Sequence, residues 1–239
     1  MSRAIVLMYH HVGSPPRGGD PLGLYVSPGM FRFQMWHLKT AGFTVVPLAE
    51  IADFAAGRSG GKRMVSLTFD DGYQDFFDNA FPVLRKYRFP STVFLVTDLI
   101  GRENSWEAED RTRLMDWDAI TELKEEGVTF GSHTMTHPFL SRLPADRLRA
   151  ELTGSKAYLE DRLRLPVDFF CYPYGDYDSA TVAAAKQAGY RLAVTTKRGR
   201  VRAGDDPLQV RRSFIRAQTN PFLYLLRLHS GYEDRKRGG

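Results

Sequence analysis

The chain has 239 residues, of which 43% are hydrophobic and 26% are charged, a composition typical of a globular protein with one large core. No apolar run approaches the length of a membrane span, and we interpret the N-terminus as a mature first strand and not as a signal peptide. The formal charge of +5 is spread along the chain without a nucleic-acid-binding motif, which favours a mildly basic surface over nucleic-acid binding. The single cysteine, Cys171, excludes an internal disulfide, and a cytoplasmic location fits these features best.

Strand-like and helix-like segments alternate along the whole chain. Strands are predicted at Ala4–Tyr9, Phe43–Val46, Met64–Phe69, Ser91–Val96, Val128–Gly131, Val167–Cys171, Tyr190–Thr195 and Val210–Phe214. Helices are predicted between Ser27 and Gly42, at Leu48–Ala56, at Asp75–Tyr87, between Asp116 and Gly127, at Pro144–Leu165, at Ser179–Ala188 and at Pro221–His229. The segments Gly13–Leu24 and Thr97–Met115 are predicted loops, and residues 230–239 a frayed tail. Because no repeat or linker interrupts this pattern, residues 1–239 are predicted to form one domain.

The alternation predicts a parallel sheet, either a βα barrel or a doubly wound sheet. Polar residues lie just past the C-terminal ends of four separate predicted strands. They are His10, the pair Asp70 and Asp71, the pair His133 and His137, and the segment Tyr172–Gly175. Since βα-barrel enzymes place their active sites at that edge, the positions favour the barrel.

The side chains of His133 and His137 are four residues apart, a spacing that puts both imidazoles on one side of a helix or of an extended chain. With a carboxylate from the end of a strand, they would make three protein ligands, which suits a catalytic zinc site with an open position. Cobalt, nickel or iron would accept the same ligands. The alternative is that both histidines are structural and that Asp70-Asp71-Gly72 is an ordinary solvated turn.

Three segments resemble the main motifs of the polysaccharide deacetylase family, carbohydrate esterase family four, and occur in the same order. They are TFDDG at Thr68–Gly72, SHTMTH at Ser132–His137 and CYPYG at Cys171–Gly175. The opening MYHHV is similar to the branch typified by exopolysaccharide poly-N-acetylglucosamine deacetylases. The resemblance implies a distorted (β/α)7 barrel, a divalent metal with zinc as the first choice, and an N-acetylated saccharide as substrate.

The resemblance also implies roles for individual residues. It makes Asp71, His133 and His137 the metal ligands and Asp70 the catalytic base. In the turn Tyr172-Pro173-Tyr174, it implies that the backbone N–H of Tyr174 binds the oxyanion.

The general acid is less directly indicated, because His10 and His11 are adjacent and strand alternation does not choose between them. Val6 and Met8 share the parity of His10, and Leu7 and Tyr9 share that of His11, and both sets are apolar. The resemblance selects His10, the histidine directly after the tyrosine.

One position departs from the family pattern. The commonest third motif has an arginine, which orients the base, where this chain has Cys171. Arg211 or Arg212, on another predicted strand, is the candidate to replace it, and the alternative is that both are ordinary surface arginines. His229 is expected to be structural, because it lies near the end of the last helix.

Three functions therefore compete. The first is a metal-dependent deacetylase of N-acetylated amino sugars in a polysaccharide, an oligosaccharide or a glycolipid. The second is a metal hydrolase of another amide or ester, such as an O-acetylated glycan or a cyclic imide, and the third is a non-catalytic glycan-binding barrel. Aromatic residues suit stacking on sugar rings or packing in the core, and these are Trp106, Trp117, Tyr172 and Tyr174. The sequence makes no prediction of the oligomeric state.

Overall fold

The computed structural model describes residues 4–16, 18–61, 63–106 and 111–235. In these residues the strands are β1 (Ala4–Tyr9), β2 (His11–Val12), β3 (Tyr25–Val26), β4 (Thr44–Val45), β5 (Met64–Phe69), β6 (Thr92–Leu95), β7 (Thr129–Ser132), β8 (Phe169–Cys171), β9 (Leu192–Arg198) and β10 (Val210–Phe214). The helices are α1 (Pro28–Thr40), α2 (Leu48–Ala55), α3 (Phe81–Tyr87), α4 (Trp117–Glu125), α5 (Ala145–Leu163), α6 (Ser179–Gln187), α7 (Pro221–His229) and α8 (Tyr232–Arg235).

Seven parallel strands close into a barrel. Their order is β1-β10-β9-β8-β7-β6-β5, and β5 pairs with β1 along its whole length to complete the ring. The short strand β4 pairs with the first two residues of β5, and β6 pairs with the last two residues of β5 on the same side. The predicted (β/α)7 barrel is confirmed, and all the strands of the ring end at the same edge.

The barrel strands are buried on both faces, so successive residues belong to two different apolar layers. In β1, the side chains of Ile5, Leu7 and Tyr9 pack in the layer between barrel and helices. Those of Ala4 and Val6 pack instead with residues from other strands around the ring, including Phe94, Phe169, Val194 and Val210. Side chains from opposite strands meet in this way only inside the barrel, so the even-numbered residues of β1 face the interior.

Helix α2 belongs to the interior layer, because Leu48, Ile51 and Phe54 pack with Ala4 and Met64 at the beginnings of strands. It therefore closes the end of the barrel opposite to the edge where the strands end. No helix among the described residues combines the length and the apolar character needed to cross a membrane.

Several predicted boundaries differ from the structure. The segment Asp75–Tyr87, predicted as helical with Pro82 interrupting or restarting the helix, is a π-helical stretch at Phe76–Ala80 followed by α3. Pro82 lies in the first turn of α3, where no N–H is needed. The predicted loop Thr97–Met115 begins with a 3₁₀ turn at Thr97–Leu99.

Part of the predicted frayed tail also differs. Residues 232–235 form α8, and the buried carboxylate of Glu233 accepts hydrogen bonds from Arg198 at 2.6 and 3.0 Å. An ion pair between the half-buried Arg198 and the buried Glu233 therefore attaches this segment to β9, whereas residues 236–239 lie outside the described part of the chain.

Candidate active site

A cleft of about 450 Å³ opens at the edge where the barrel strands end. Its polar lining consists of His10, Asp70, Asp71, His133, His137, Thr196 and Arg216, and its apolar and aromatic lining includes Leu22, Leu24, Trp106, Tyr172, Tyr174 and Phe214. Residues that are far apart in the sequence meet here because the parallel strands bring their C-terminal ends to one edge.

The three predicted metal ligands converge on one point. Oδ1 of Asp71 lies 3.2 Å from Nε2 of His133 and 3.4 Å from Nε2 of His137, and the two Nε2 atoms are 3.2 Å apart. In a tetrahedral zinc site with bonds of about 2.0–2.1 Å, neighbouring ligand atoms are about 3.3–3.4 Å apart. These side chains therefore form a group that fits a metal ion in both atom type and spacing.

Different contacts set the orientation of the two imidazoles, a hydrogen bond for His133 and aromatic packing for His137. Nδ1 of His133 lies 2.8 Å from the carbonyl oxygen of Cys171, an acceptor that fixes the proton on Nδ1 and leaves Nε2 to face Asp71. Nδ1 of His137 is buried without a hydrogen-bond partner in the described chain. The ring of His137 packs instead between the rings of Trp106 and Tyr174, with distances between ring centroids of 4.1 and 4.4 Å.

The group is strongly coupled electrostatically. Burial disfavours the Asp71 carboxylate, but hydrogen bonds from the two histidines outweigh burial and hold the pKa of Asp71 well below its usual range. Burial also disfavours a charged His133, but Cys171 and Asp71 together raise the pKa of His133 well above its ordinary value. Burial lowers the pKa of His137, so this ring is neutral at neutral pH.

Asp70 has a different partner from Asp71. The guanidinium of Arg212 donates to both carboxylate oxygens of Asp70, with each contact at 2.7 Å. Arg212 is fully buried inside the barrel, and its other donors reach Thr68 Oγ1, the Thr195 carbonyl oxygen and the Cys171 sulfur. Burial disfavours the Asp70 carboxylate, but the adjacent guanidinium outweighs this and lowers the pKa of Asp70.

Arg212 also accounts for a second group of possible metal donors. The ligand atoms of Asp70, His133 and Cys171 lie within 4.8 Å of one another. However, the Arg212 guanidinium already contacts the Asp70 carboxylate and lies 3.3 Å from the Cys171 sulfur, so a cation is present there. The neighbouring Arg211 is directed elsewhere, since it donates to the carbonyl oxygen of Arg198.

The adjacent histidines face opposite sides of the barrel wall. His10 lines the cleft, with Nε2 3.9 Å from Oδ2 of Asp70, and its ring packs on Phe214. Burial, helped by the charges of Arg212 and His11, lowers the pKa of His10 more than Asp70 and Asp71 raise it. His11 is fully buried between the rings of Tyr25 and Tyr73, and its Nδ1 lies 2.7 Å from Oδ2 of Asp75.

The turn after β8 brings Tyr174 to the cleft. Tyr174 and Gly175 both have positive φ values, 58° and 70°, so the chain bends sharply at the end of the strand. Tyr172 lines the cleft with its ring, but its hydroxyl donates inward to the carbonyl oxygen of Leu208, and Pro173 is buried. Phe139, which the sequence did not single out, stacks on Tyr174 at 4.1 Å.

Two other candidates lie away from the cleft. Trp117 packs against Tyr158 and under the guanidinium of Arg162, and so does not offer its ring to a substrate in the cleft. His229 lies on α7, where Nε2 is 2.8 Å from Nε2 of His37, in agreement with the structural role expected for it.

Comparison with known proteins identifies the class. The family model described as polysaccharide deacetylase matches residues 57–193, more than half of the chain. The chain therefore belongs to the polysaccharide deacetylase family, whose members are hydrolases.

Solved structures agree over nearly the whole chain. IcaB from Ammonifex degensii is 27% identical with a TM-score of 0.83, and the match covers 95% of this chain and 98% of that one. The Streptococcus pyogenes deacetylase PplD, solved in complex with acetate, is 28% identical with a TM-score of 0.82 and the same coverage.

Among curated proteins, the poly-beta-1,6-N-acetyl-D-glucosamine N-deacetylase of Staphylococcus epidermidis is 27% identical, with 98% of this chain and 85% of that protein aligned. The YxkH protein of Bacillus subtilis, named for the same family, is 29% identical over 81% of this chain. The alignment spans 64% of the length of YxkH.

Proposed function

We propose that this protein is a metal-dependent hydrolase that removes N-acetyl groups from amino sugars of a polysaccharide, an oligosaccharide or a glycolipid. The observation that carries the proposal is the convergence of Asp71, His133 and His137 at 3.2–3.4 Å beside the Asp70 carboxylate, inside a cleft. The ligand set and its spacing make zinc the first metal to test, with cobalt, nickel and iron as alternatives.

Asp71, His133 and His137 would hold the ion. A divalent ion bound there lowers the pKa of a water molecule and polarises the acetyl carbonyl group. Asp70 would then accept a proton from that water. The bidentate contact with Arg212 supports this role, because it keeps Asp70 ionised and fixes the direction of its lone pairs.

The leaving amine needs a proton, and we assign its delivery to His10. Since burial lowers the pKa of His10, its imidazole is neutral at neutral pH before the reaction begins. The proton must therefore reach His10 during the reaction. Asp70 is the nearest source, because Oδ2 lies 3.9 Å from Nε2 of His10 and the same carboxylate takes the proton from water. One proton thus moves from water to Asp70, then to His10, and finally to the amine.

The turn at Tyr172-Pro173-Tyr174 would contribute a backbone donor. In the positive-φ turn, Tyr174 lies against the ring of His137. We assign to its N–H the stabilisation of the oxyanion that develops on the acetyl group. The rings of Trp106, Tyr172 and Tyr174 give the cleft an aromatic wall that suits the apolar face of a sugar.

The names of the relatives guide the choice of substrate. The Staphylococcus epidermidis relative is named for poly-beta-1,6-N-acetyl-D-glucosamine, and a β-1,6-linked N-acetylglucosamine oligomer is therefore the first substrate to test.

The single domain over residues 1–239 and the cytoplasmic location stay predictions.

The test is acetate release from matched substrates by protein that has been stripped of metal and reloaded with zinc, cobalt, nickel or iron. We expect metal-dependent acetate release from N-acetylglucosamine oligomers, and none from the Asp71→Asn variant. Faster release from O-acetylated xylan, or opening of a cyclic imide, would favour the second function. Binding of oligomers without turnover under every metal would favour a non-catalytic barrel.

A further inference from the structure

The loop that joins His133 and His137 has a strained backbone. Thr134 has a φ of 70° and His137 a φ of 59°, values that residues with a Cβ rarely adopt, and a β-branched threonine least of all. The two imidazoles face each other because of this turn, and not because they share a helix or a strand. A strained loop keeps its shape only if the surrounding structure holds it.

Side-chain acceptors within the loop and backbone donors next to it satisfy part of its backbone. Thr134 N–H donates to the Ser132 hydroxyl, and His137 N–H donates to the Thr134 hydroxyl. The carbonyl oxygens of Thr134 and Met135 accept from the N–H groups of Thr97 and Asp98. The N–H groups of Met135 and Thr136 remain, and both lie between the two histidines.

A single carboxylate, Glu151 on α5, accepts from both of these N–H groups. Its Oε2 atom lies 2.8 Å from Met135 N and 3.0 Å from Thr136 N, while Oε1 lies 2.7 Å from the Thr136 hydroxyl. Glu151 is 3% exposed, and no basic side chain of the described residues lies within ion-pair distance of it. Its buried charge is therefore balanced by the loop itself.

We infer that Glu151 is a positioning residue for the metal site: it holds the loop in the shape that keeps Nε2 of His133 and Nε2 of His137 3.2 Å apart. This inference rests on the proposed metal-binding function. Glu151 touches neither the ion nor the substrate in this assignment, and it acts by accepting hydrogen bonds from residues 135 and 136.

Two substitutions of similar size separate this role from simple packing. In Glu151→Gln, the amide oxygen can replace Oε2 and accept from both N–H groups, and the amide nitrogen can donate to the Thr136 hydroxyl. In Glu151→Met, none of the three donors has an acceptor, although the volume is nearly unchanged. We expect Glu151→Met to weaken zinc binding by about 10–100-fold, the usual effect of losing a group that orients a metal ligand. We expect Glu151→Gln to stay close to the wild type.

The measurement is the zinc dissociation constant of the metal-stripped full chain, obtained by competition with a chromophoric chelator, together with the thermal unfolding of each metal-free protein. A purely structural role would lower the unfolding temperature of Glu151→Met without changing the dissociation constant of the folded protein. Asp161→Asn is the matched control, because Asp161 is an exposed carboxylate on the same helix, 66% exposed and paired with Arg164.

Equal zinc affinities in the wild type and Glu151→Met would overturn the inference, and so would equal losses in the Gln and Met variants. If Glu151→Met does not fold, the zinc affinity of the Thr136→Val variant tests the inference instead. This substitution removes one donor to Glu151 at an exposed position, so we expect a smaller loss of affinity, and an unchanged affinity would overturn the inference. A wild-type protein that binds no zinc, cobalt, nickel or iron would refute the proposed function itself, an outcome distinct from the others.

Discussion

Asp70 and Asp71 are neighbours in the chain, yet each carboxylate has its own partner. Asp70 continues the interior face of β5 and meets Arg212, whereas Asp71 has a φ of 72° and turns towards His133 and His137. One carboxylate is thus paired with a fixed guanidinium and the other with two imidazoles. This division is what lets two like charges lie side by side in a buried site.

The first prediction separates these two residues. Asp70→Asn should retain metal but lose about 10²–10⁴-fold in kcat, because the amide keeps the shape and cannot accept the proton. Asp71→Asn should lose metal and activity together, since it removes a ligand. Metal analysis and kcat measured on the same samples check both, and an unchanged kcat in Asp70→Asn would mean that the roles are misassigned.

The second prediction concerns Arg212. In the folded protein the guanidinium lowers the pKa of Asp70, so the carboxylate persists to lower pH than an ordinary aspartate would. Arg212→Lys keeps the charge but loses the bidentate hydrogen bonds to Asp70, so kcat should fall. The pKa of Asp70 should then be lowered less, so the acid limb of the kcat/KM profile should move to higher pH. The control is Arg211→Lys, because Arg211 contacts a carbonyl oxygen away from the cleft. A pH profile identical to the wild type in Arg212→Lys would contradict the positioning of Asp70 by Arg212.

The third prediction separates His10 from His11. His10→Ala should lower kcat by about 10²–10⁴-fold with metal retained, and it should affect acetate esters with good leaving groups less than amides. His11→Ala should mainly lower thermal stability, because the ring is fully buried between two tyrosines and contacts Asp75. Equal losses on esters and amides for His10→Ala, or a larger kcat loss for folded His11→Ala, would remove His10 as the acid.

At the scale of an element, the turn after β8 sets the position of the Tyr174 N–H. A Cβ added at Gly175 would lie 1.9 Å from the hydroxyl oxygen of Thr196 and 2.7 and 2.8 Å from two of its carbon atoms, so the turn or Thr196 would have to shift. The fourth prediction is that Gly175→Ala lowers kcat, by up to about 10²–10³-fold if the oxyanion donor is lost. Metal content should not change.

Gly204→Ala is the matched control for this turn. Gly204 also has a positive φ, 88°, but a Cβ there meets nothing within 4 Å. It therefore tests the backbone strain of alanine without the collision. Equal kcat values for the two variants would show that the turn does not position a catalytic group.

At the scale of the whole molecule, metal binding and protonation are coupled. In the metal-free protein the pKa of His133 is raised, so the folded state is stabilised when this imidazole is protonated. The stabilisation is complete below the pKa of the unfolded chain, about 6.5, and is lost as pH rises through the pKa of His133 in the folded protein. A metal ligand must instead be neutral, and protons compete with the ion at low pH. The fifth prediction is that the increase in Tm on adding zinc grows as pH rises from about 6 to 8. Thermal unfolding with and without zinc across this range checks it, and a pH-independent increase would argue against imidazole ligands.

Much of the architecture could be predicted from local pattern. Alternating strands and helices indicate a parallel sheet, because parallel strands need helical connections. The polar residues just past four strand ends favour a barrel over a doubly wound sheet, because βα-barrel enzymes place their active sites at that edge. Glu151 had no such signal, since a carboxylate in an amphipathic helix is normally solvated, and nothing local shows that it is buried. Phe139 was missed for the same reason, because only the folded chain brings it beside Tyr174.

The sequence by itself determined the order of elements, the edge that carries the polar residues and the motifs that define the family. It did not determine which of two adjacent histidines faces the cleft. Alternation along a strand shows which residues point inwards only when one face is polar, and β1 is apolar on both faces. Closure of the barrel decided this by packing Val6 inside and Leu7 outside, so that His10 lines the cleft and His11 lies on the other side of the wall, between Tyr25 and Tyr73. Closure also brought Arg212 on β10 to Asp70, the residue just after β5. The two residues are 142 positions apart, and their contact depends on both strands facing one interior.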